Sequence, residues 1–536
     1  MNNIPGTKRN ILACAAGVFF LSLAASFFSA RTGFLGGMSH EFCNYAEIAR
    51  NIKSGRGFST GMIYPGSLAI YDSLGTAPDK NGLYPVMDRF PLHAYFVAAA
   101  FRISGETDFS VLAVSAMWLA LLSGLTVLTG GLFLGPGAAS AAGLLIALNP
   151  SFQRGFVLWG LPDFGFAVLL LSSVLVLLHR DELASRRTFL SGVLGGLAWL
   201  YRSNFLIWLP LFILLPWAYA LDNRKRVKFA GLWLAGWLLA AFPGLIYNLR
   251  NFGNLNPPTF AWNLAHGVVS DAPTWLQYRV YSPWAALGSP AKLAAKWADL
   301  FLKNLKALPV LWQFQLVWPA AAAGCLALFR DRGAAAAPFR KAVLLLGSML
   351  VLQVFIFCFL RFETLGPKVG GRYYIWFAPA AALLAVNWAA GLKPGLRYAY
   401  IAAVSVFFAW QLFSGPPPRG LSAGEWPELK EAAAAAEGGL LATNLPGQAA
   451  WYAGAKTLQL PVSPEELMKI MKVHQVEVLL LSRRSAGEPW NLPAWRPLAE
   501  NREAFNKFCN DAGFRFEKDF GTSLLLSSIN KKNPSR

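Results

Sequence analysis

Long apolar stretches separated by short basic connections set the outline of this 536-residue chain. A helix needs about 20 apolar residues to cross a hydrocarbon layer of roughly 30 Å. Stretches near that length fall at 10–30, 110–133, 137–157, 164–178, 189–203, 204–221, 229–247, 308–329, 342–360, 372–390 and 398–413. The pattern predicts a polytopic α-helical membrane protein of about eleven transmembrane helices, occupying residues 1–413. Two polar insertions interrupt it, at 32–109 and 248–307, and a tail of different character occupies 414–536. Gly415-Pro416-Pro417-Pro418 marks that boundary, since consecutive prolines cannot continue a helix. Beyond it, Leu440–Thr443, Thr457–Leu460, Val476–Leu481 and Ser523–Leu526 read as strands. Ser463-Pro464-Glu465-Glu466 opens a helix, with serine as cap, proline at the first position and glutamate at the third. Strands alternating with helices predict a small soluble α/β domain. It carries no Gly-rich phosphate loop and is assigned no chemistry.

Composition agrees with a membrane class: 55% of residues are hydrophobic and 14% charged, with a mean hydropathy of +0.40. A soluble domain has no use for so much apolar surface, because burial saturates as domains grow. The net charge of +20 acts mainly as a topology signal. With the amino terminus cytoplasmic, the cytoplasmic connections hold Lys8 and Arg9; Arg180, Arg186 and Arg187; Arg224, Lys225, Arg226 and Lys228; Arg330, Arg332, Arg340 and Lys341; and Lys393 and Arg397. That is the positive-inside distribution. It places both polar insertions and the tail on the periplasmic side of a bacterial inner membrane, and it disfavours a nucleic-acid surface, whose basic residues would share one face. The apolar stretch after Lys8-Arg9 exceeds the usual signal-peptide core, so it reads as a retained anchor. Cys14, Cys325 and Cys358 fall in apolar spans, and Cys43 and Cys509 are left open as a pair on the oxidising side. No CxxC pair or His-rich set suggests a metal site.

The candidate chemistry gathers at span ends. His40-Glu41-Phe42-Cys43-Asn44-Tyr45-Ala46-Glu47-Ile48-Ala49-Arg50 follows the first span, Asp88-Arg89-Phe90-Pro91-Leu92 comes later in the same insertion, and Asp163 opens a later span. Carboxylates and arginines at a bilayer boundary are costly unless they meet solvent, each other or a substrate. Tyr45, Ile48, Ala49 and Ile52 recur at helical spacing, with Glu47, Arg50 and Lys53 on other faces and Gly55 and Gly57 as stops. The expectation is a helix lying in the interface with its apolar side down. Leu92–Ile103 reads as a second, anchored by Tyr95, Phe96 and Phe101. Plainer readings stand beside the functional ones: Asp163 as a helix cap, Arg372 and Arg250 as headgroup anchors, His93 and His266 as hydrogen-bonded structural residues. Tyr64, Tyr71 and Tyr84 either line a sugar path or pack.

In their order these features resemble the GT-C superfamily of polyprenyl-phosphate-sugar glycosyltransferases. Within it, the chain is similar to the bacterial relatives of the protein O-mannosyltransferases, including the lipid A aminoarabinose transferases. The resemblance rests on Glu41 followed by Tyr45-Ala46-Glu47-Ile48-Ala49-Arg50, on Asp88-Arg89-Phe90-Pro91-Leu92, and on Pro162-Asp163. Leu249-Arg250-Asn251-Phe252-Gly253 and Gly371-Arg372-Tyr373-Tyr374 ahead of Pro379 are weaker echoes. Together they cover roughly residues 8–415. The chain departs from the family pattern in having Glu41 where aspartate is usual and Asn44 where a basic residue is common.

The resemblance implies inverting transfer of a sugar from an undecaprenyl-phosphate carrier to a hydroxyl on a periplasmic protein, lipid or glycan. It makes Glu41 the base and Asp163 its positioning or charge-stabilising partner. A leaving polyprenyl phosphate gains charge and needs a cation, and arginine offers a fixed fork for phosphate oxygens. Arg89 and then Arg372 are the donor-phosphate candidates, with Asp88, Tyr45 and Arg250 in support. No cofactor is expected; some superfamily members use a divalent ion, while the mannosyltransferase-like branch generally does not. The competing classes are a lipid or sugar transporter, which would more readily show inverted repeats, and a non-catalytic scaffold for the tail.

Overall fold

The computed structural model describes residues 5–37, 39–178, 185–218, 222–257, 259–331, 333, 336–360, 370–414, 422–483 and 494–529. Arg180, Arg332 and the Gly415–Pro418 boundary lie outside the described residues. Helix α1 (Pro5–Gly33) leads into α2 (His40–Lys53), strands β1 (Ser59–Thr60) and β2 (Met62–Ile63), α3 (Pro65–Leu74), β3 (Tyr84–Pro85) and α4 (Pro91–Ser104). The helical body continues with α5 (Asp108–Phe133), α6 (Pro136–Ala147), α7 (Asp163–Leu178), α8 (Ser185–Tyr201), α9 (Leu209–Ala218) and α10 (Asn223–Phe252). After the short α11 (Phe260–Ala265) and α12 (Pro283–Leu287) come α13 (Pro290–Ala307), α14 (Val317–Arg330), α15 (Ala337–Leu360), α16 (Ala378–Ala390) and α17 (Pro394–Phe413).

Among the described residues, six helices are long and apolar enough to cross a membrane, or seven if the bent pair α13–α14 counts as one. The expected spans at 137–157 and 308–329 are broken. The first breaks after α6, where Pro150 offers no N–H and Asn149 binds outward, donating to the Trp312 carbonyl at 2.7 Å and accepting from Phe152 N–H at 3.0 Å. The second is a 105° bend in which Trp312 and Gln313 take left-handed φ values of 56° and 57°. The expected count of about eleven would therefore have to include α6, α7, α8 and α9, whose described parts are 12, 16, 17 and 10 residues long. Large apolar side chains such as Phe20, Leu239, Val351, Val406 and Trp410 lie exposed on the outside of the long helices, as lipid-facing positions do. The chain is a multi-pass membrane protein. Where α8 crosses α10, backbones touch: a Cβ on Gly192 would fall 2.0 Å from the Trp233 carbonyl oxygen, and one on Gly236 2.2 Å from that of Phe189. Only glycine permits that approach, the small-residue packing that membrane helices favour.

The tail folds as α18 (Pro427–Ala436), β4 (Leu440–Thr443), α19 (Pro446–Ala453), β5 (Lys456–Gln459), α20 (Pro464–Met471), β6 (Val476–Ser482), α21 (Arg496–Glu500), α22 (Arg502–Ala512), β7 (Phe514–Asp519) and β8 (Ser523–Ser528). The sheet order is β2-β5-β4-β6-β8-β7; the pairings from β2 to β6 are parallel and the last two antiparallel. Each expected strand is present, and Ser463 caps α20 by accepting from Glu466 N–H. The sequence pattern did not reveal β7 or the edge strand β2. Met62 and Ile63 of the first insertion pair with Thr457 and Leu458 of the tail, so insertion and tail share one sheet.

This union explains a correction. Helix α2 does not lie in the interface. Its residues Phe42 to Ala49 are all buried, packed between α4 and the tail helix α19. Glu47, expected on a solvated face, accepts from Thr60 Oγ1 (2.8 Å), Asn51 Nδ2 (2.6 Å) and the Gly61 N–H (3.0 Å), which ties α2 to the β1–β2 corner. In α4, Tyr95 is exposed while Phe101 is buried. All five cysteines are free, and Cys43 and Cys509 belong to separate cores.

Candidate active site

Glu41 sits in the first turn of α2, where unpaired backbone N–H groups favour a carboxylate. Ser39 caps that turn, its Oγ accepting from the Phe42 N–H at 3.0 Å. Facing it is a 3₁₀ segment, Gly370–Phe377, held by three hydrogen bonds to two side chains outside it. Trp312 Nε1 donates to the Gly371 carbonyl at 2.8 Å, and Gln353 donates to the Tyr373 carbonyl at 3.0 Å while accepting from Trp376 Nε1 at 2.8 Å. Arg372 is thereby fixed. Its Nη2 donates to Glu41 Oε1 at 2.9 Å, its Nη1 donates to Glu41 Oε2, and Nη2 also reaches the Tyr373 hydroxyl at 2.7 Å.

Two further acid–arginine pairs converge on the same place. Arg202, in the break that follows α8, donates to Asp163 Oδ1 at 2.7 Å. Its guanidinium lies 4.4 Å from the centre of the Tyr373 ring, and that of Arg372 lies 4.8 Å from it. Two cations thus share one aromatic ring, each held by its own carboxylate. Asp88 pairs with Arg89 at 3.0 Å, and Arg89 also reaches the Tyr64 hydroxyl at 3.5 Å. Among the described residues these three pairs are the charged groups around one cavity of about 690 Å³. Its charged lining residues are Glu41, Asp88, Arg89, Arg202 and Arg372; Asn256, Thr259 and Asn263 add neutral polar groups, and Leu206, Ile207, Phe357 and Leu360 apolar ones.

The expected site residues separate into three groups. Glu41, Arg89, Arg372, Asp88 and Tyr45 all line the cavity, with the Tyr45 ring 4.8 Å from His93 in edge contact. Asp163 stands behind the lining, its side chain only 1% exposed against 23% for Glu41. Arg250 lies exposed near the end of α10 and outside the lining, so the structure does not bring it to the site. His93 Nε2 donates to the Gly160 carbonyl (3.1 Å) and His266 Nδ1 to that of Ala272 (3.1 Å), the structural role expected. Tyr64 lines the cavity, whereas Tyr71 and Tyr84 stack on each other at 4.6 Å within the neighbouring core. Arg202 was missed. The available signal was a charged side chain inside the apolar run 189–221, which is costly unless paired or functional.

The local charges set protonation states. Burial by itself would raise the Glu41 carboxyl, but Arg372, Arg89 and Arg202 outweigh it and hold the group down at about 2. Burial, with Arg89 adding to it, lowers His40 to about 4, so it is neutral at pH 7. Burial pushes the Tyr64 phenol up to about 12. The site therefore presents two carboxylates, Glu41 and Asp88, beside three guanidiniums and the neutral Tyr64 phenol, an arrangement in which an anion can bind next to a base.

No protein-family model and no curated protein matches the chain. Solved structures do. ArnT from Cupriavidus metallidurans bound to undecaprenyl phosphate superposes with a TM-score of 0.54 at 13% identity, covering 98% of this chain and 99% of that one. The Archaeoglobus fulgidus oligosaccharyltransferase in complex with Zn and sulfate gives 0.52 at 13% identity, covering 95% and 73%. The same organism's oligosaccharyltransferase AglB, in complex with an inhibitory peptide and a dolichol-phosphate, gives 0.52 at 12%, covering 97% and 75%. At these identities the likeness is one of fold alone: the chain shares the overall fold of these structures, in keeping with the sequence resemblance.

Proposed function

We propose that the protein is a glycosyltransferase that moves a sugar from an undecaprenyl-phosphate-type carrier to a periplasmic acceptor hydroxyl, with inversion. The observation that carries this reading is the convergence of three arginines, with Glu41 and Asp88, on one cavity that also has apolar lining residues. The fold it shares with proteins solved bound to undecaprenyl phosphate and to a dolichol-phosphate supports the donor class. The basic cytoplasmic connections support a cell-membrane location with a cytoplasmic amino terminus, residues 1–413 forming the membrane domain and 414–536 a periplasmic one.

In the reaction, the acceptor oxygen forms a bond to the anomeric carbon as that carbon's bond to the phosphate oxygen breaks. The electron pair leaves with the polyprenyl phosphate, and the hydroxyl proton passes to Glu41. Arg89 and Arg372 hold the phosphate, and charge-assisted contacts to its oxygens strengthen as negative charge grows there. When the phosphate draws Arg372 towards itself, Glu41 loses its strongest counter-charge and becomes a better base. Asp163, closed off from the cavity, keeps Arg202 in place over Tyr373. Because Arg89 and Arg372 can turn from their carboxylates to the phosphate, transfer proceeds without an added divalent ion and survives EDTA.

The decisive experiment supplies purified protein in lipid nanodiscs with undecaprenyl-phosphate-linked pentose or hexose and a panel of acceptors. Sugar transfer that is lost in Glu41→Gln and Arg372→Ala proteins supports the reading. Normal transfer in Glu41→Ala, Asp163→Ala and Arg89→Ala proteins alike would overturn it.

A further inference from the structure

We infer that the tail helix α19 is a positioning element for Glu41, so that the carboxy-terminal segment sets the geometry of the site without entering the cavity. This rests on the transferase reading for its chemistry but on separate contacts for its structure. Helix α19 lies directly on the first turns of α2. A Cβ on Gly447 would fall 2.9 Å from the Cys43 Cβ and 3.3 Å from the His40 carbonyl oxygen, so the two backbones are in contact one residue away from Glu41. The strand of chain that leads into α2 is held by the same helix. Gln448 Nε2 donates to the Gly37 carbonyl at 3.3 Å, and that oxygen also accepts from Cys43 Sγ at 3.0 Å. The Tyr452 hydroxyl accepts from the Gly37 N–H and donates to Asp108 Oδ2 at 2.7 Å.

The far end of α2 is held as well. Arg50 donates to the carbonyls of Ala450 (2.6 Å) and Trp451 (3.0 Å), and its guanidinium lies 5.0 Å from the centre of the Trp451 ring. Trp451 Nε1 donates to Asp108 Oδ1 at 2.7 Å, and the indole stacks on Phe101 of α4 at 5.5 Å. One eight-residue helix therefore links the loop before α2, both ends of α2, and the starts of α5 and the tail sheet. None of these side chains lines the cavity. The Glu41 carboxylate, by contrast, is hydrogen-bonded by Arg372 alone among the described residues. Where the carboxylate stands relative to an incoming hydroxyl is then decided by how α2 is seated, and α19 seats it.

The test uses the full chain with Gly447→Val, which forces the backbones apart, and Tyr452→Phe, which keeps the shape and removes both hydroxyl bonds. Three quantities are read: kcat and KM for the polyprenyl-phosphate sugar, the amount of polyprenyl phosphate retained, and hydrogen exchange of backbone amides. Misplacing a catalytic group by about 1 Å can cost about 10²-fold in rate. Gly447→Val is expected to lose about that in kcat, and Tyr452→Phe about five- to tenfold. KM and lipid retention stay unchanged, and exchange quickens only around residues 35–50. Unchanged kcat with unchanged exchange in both variants overturns the proposal. So does a general rise in exchange with loss of bound lipid, which would make α19 a stabiliser of the whole fold. If wild-type protein transfers no sugar, the transferase reading falls, while confined exchange in the variants still decides whether α19 seats the Glu41 helix.

Discussion

Glu41–Arg372 and Asp163–Arg202 are nearly the same pair placed twice around Tyr373, and they differ in access. Each acid is held by a guanidinium within 5 Å of the ring centre, but the Glu41 side chain is 23% exposed to the cavity and that of Asp163 1%. The open pair can exchange its partner when an anion arrives. The closed pair cannot, because separating it would leave a buried charge unpaired. One pair is thus suited to chemistry and the other to holding an arginine in place, although a sequence shows two acids of equal standing.

Substitutions can break that contrast. Glu41→Gln removes the base and should lower kcat by about 10²–10⁴-fold with thermal stability little changed. Asp163→Asn should do the reverse in emphasis: uncoupling a buried pair costs about 3–5 kcal/mol, seen as a large drop in melting temperature together with some loss of rate. If Asp163→Asn instead left stability intact and abolished transfer, the two acids would have to exchange roles. Tyr64→Phe removes one long contact to Arg89 and should weaken donor binding by less than about tenfold in KM. Arg250→Ala, at an exposed helix end, should change neither quantity beyond the roughly ±0.5 kcal/mol of an ordinary surface site.

The pH profile sharpens the same comparison. The arginines hold the free Glu41 carboxyl at about 2, so it stays ionised as pH falls and loses its charge only near that value. Wild-type kcat/KM should therefore show no acid limb from Glu41 between pH 5 and 8. In Arg372→Gln the chief counter-charge is gone and burial raises the carboxyl, so activity should fall as pH drops within that window. An unchanged profile would mean that Arg372 does not govern Glu41.

Much of this was legible in the chain. The apolar runs marked the helical body, the tail strands fell where β-rich segments lie between turns, and Glu41, Asp88 and Arg89 stood out as charges at span ends. What escaped had physical reasons. Strand β2 is two residues long and gains its partner from a segment almost 400 positions later, beyond any local pattern. The burial of α2 escaped for the same cause: its polar face carries Glu47 and Asn51, which are satisfied by each other and by the β1–β2 corner. Arg202 was hidden inside an apolar run whose break at Tyr201 shows no proline or glycine. Arg250 was carried by resemblance alone, and the fold leaves it outside the cavity.

The central claim, that these arginines receive a polyprenyl phosphate, is most directly tested by mass spectrometry of lipids retained by gently purified wild-type, Arg89→Ala and Arg372→Ala proteins. The account predicts polyprenyl phosphate, or its sugar conjugate, in the wild type and its loss from both variants. Equal retention in all three would contradict it, because the lipid phosphate would then be held elsewhere.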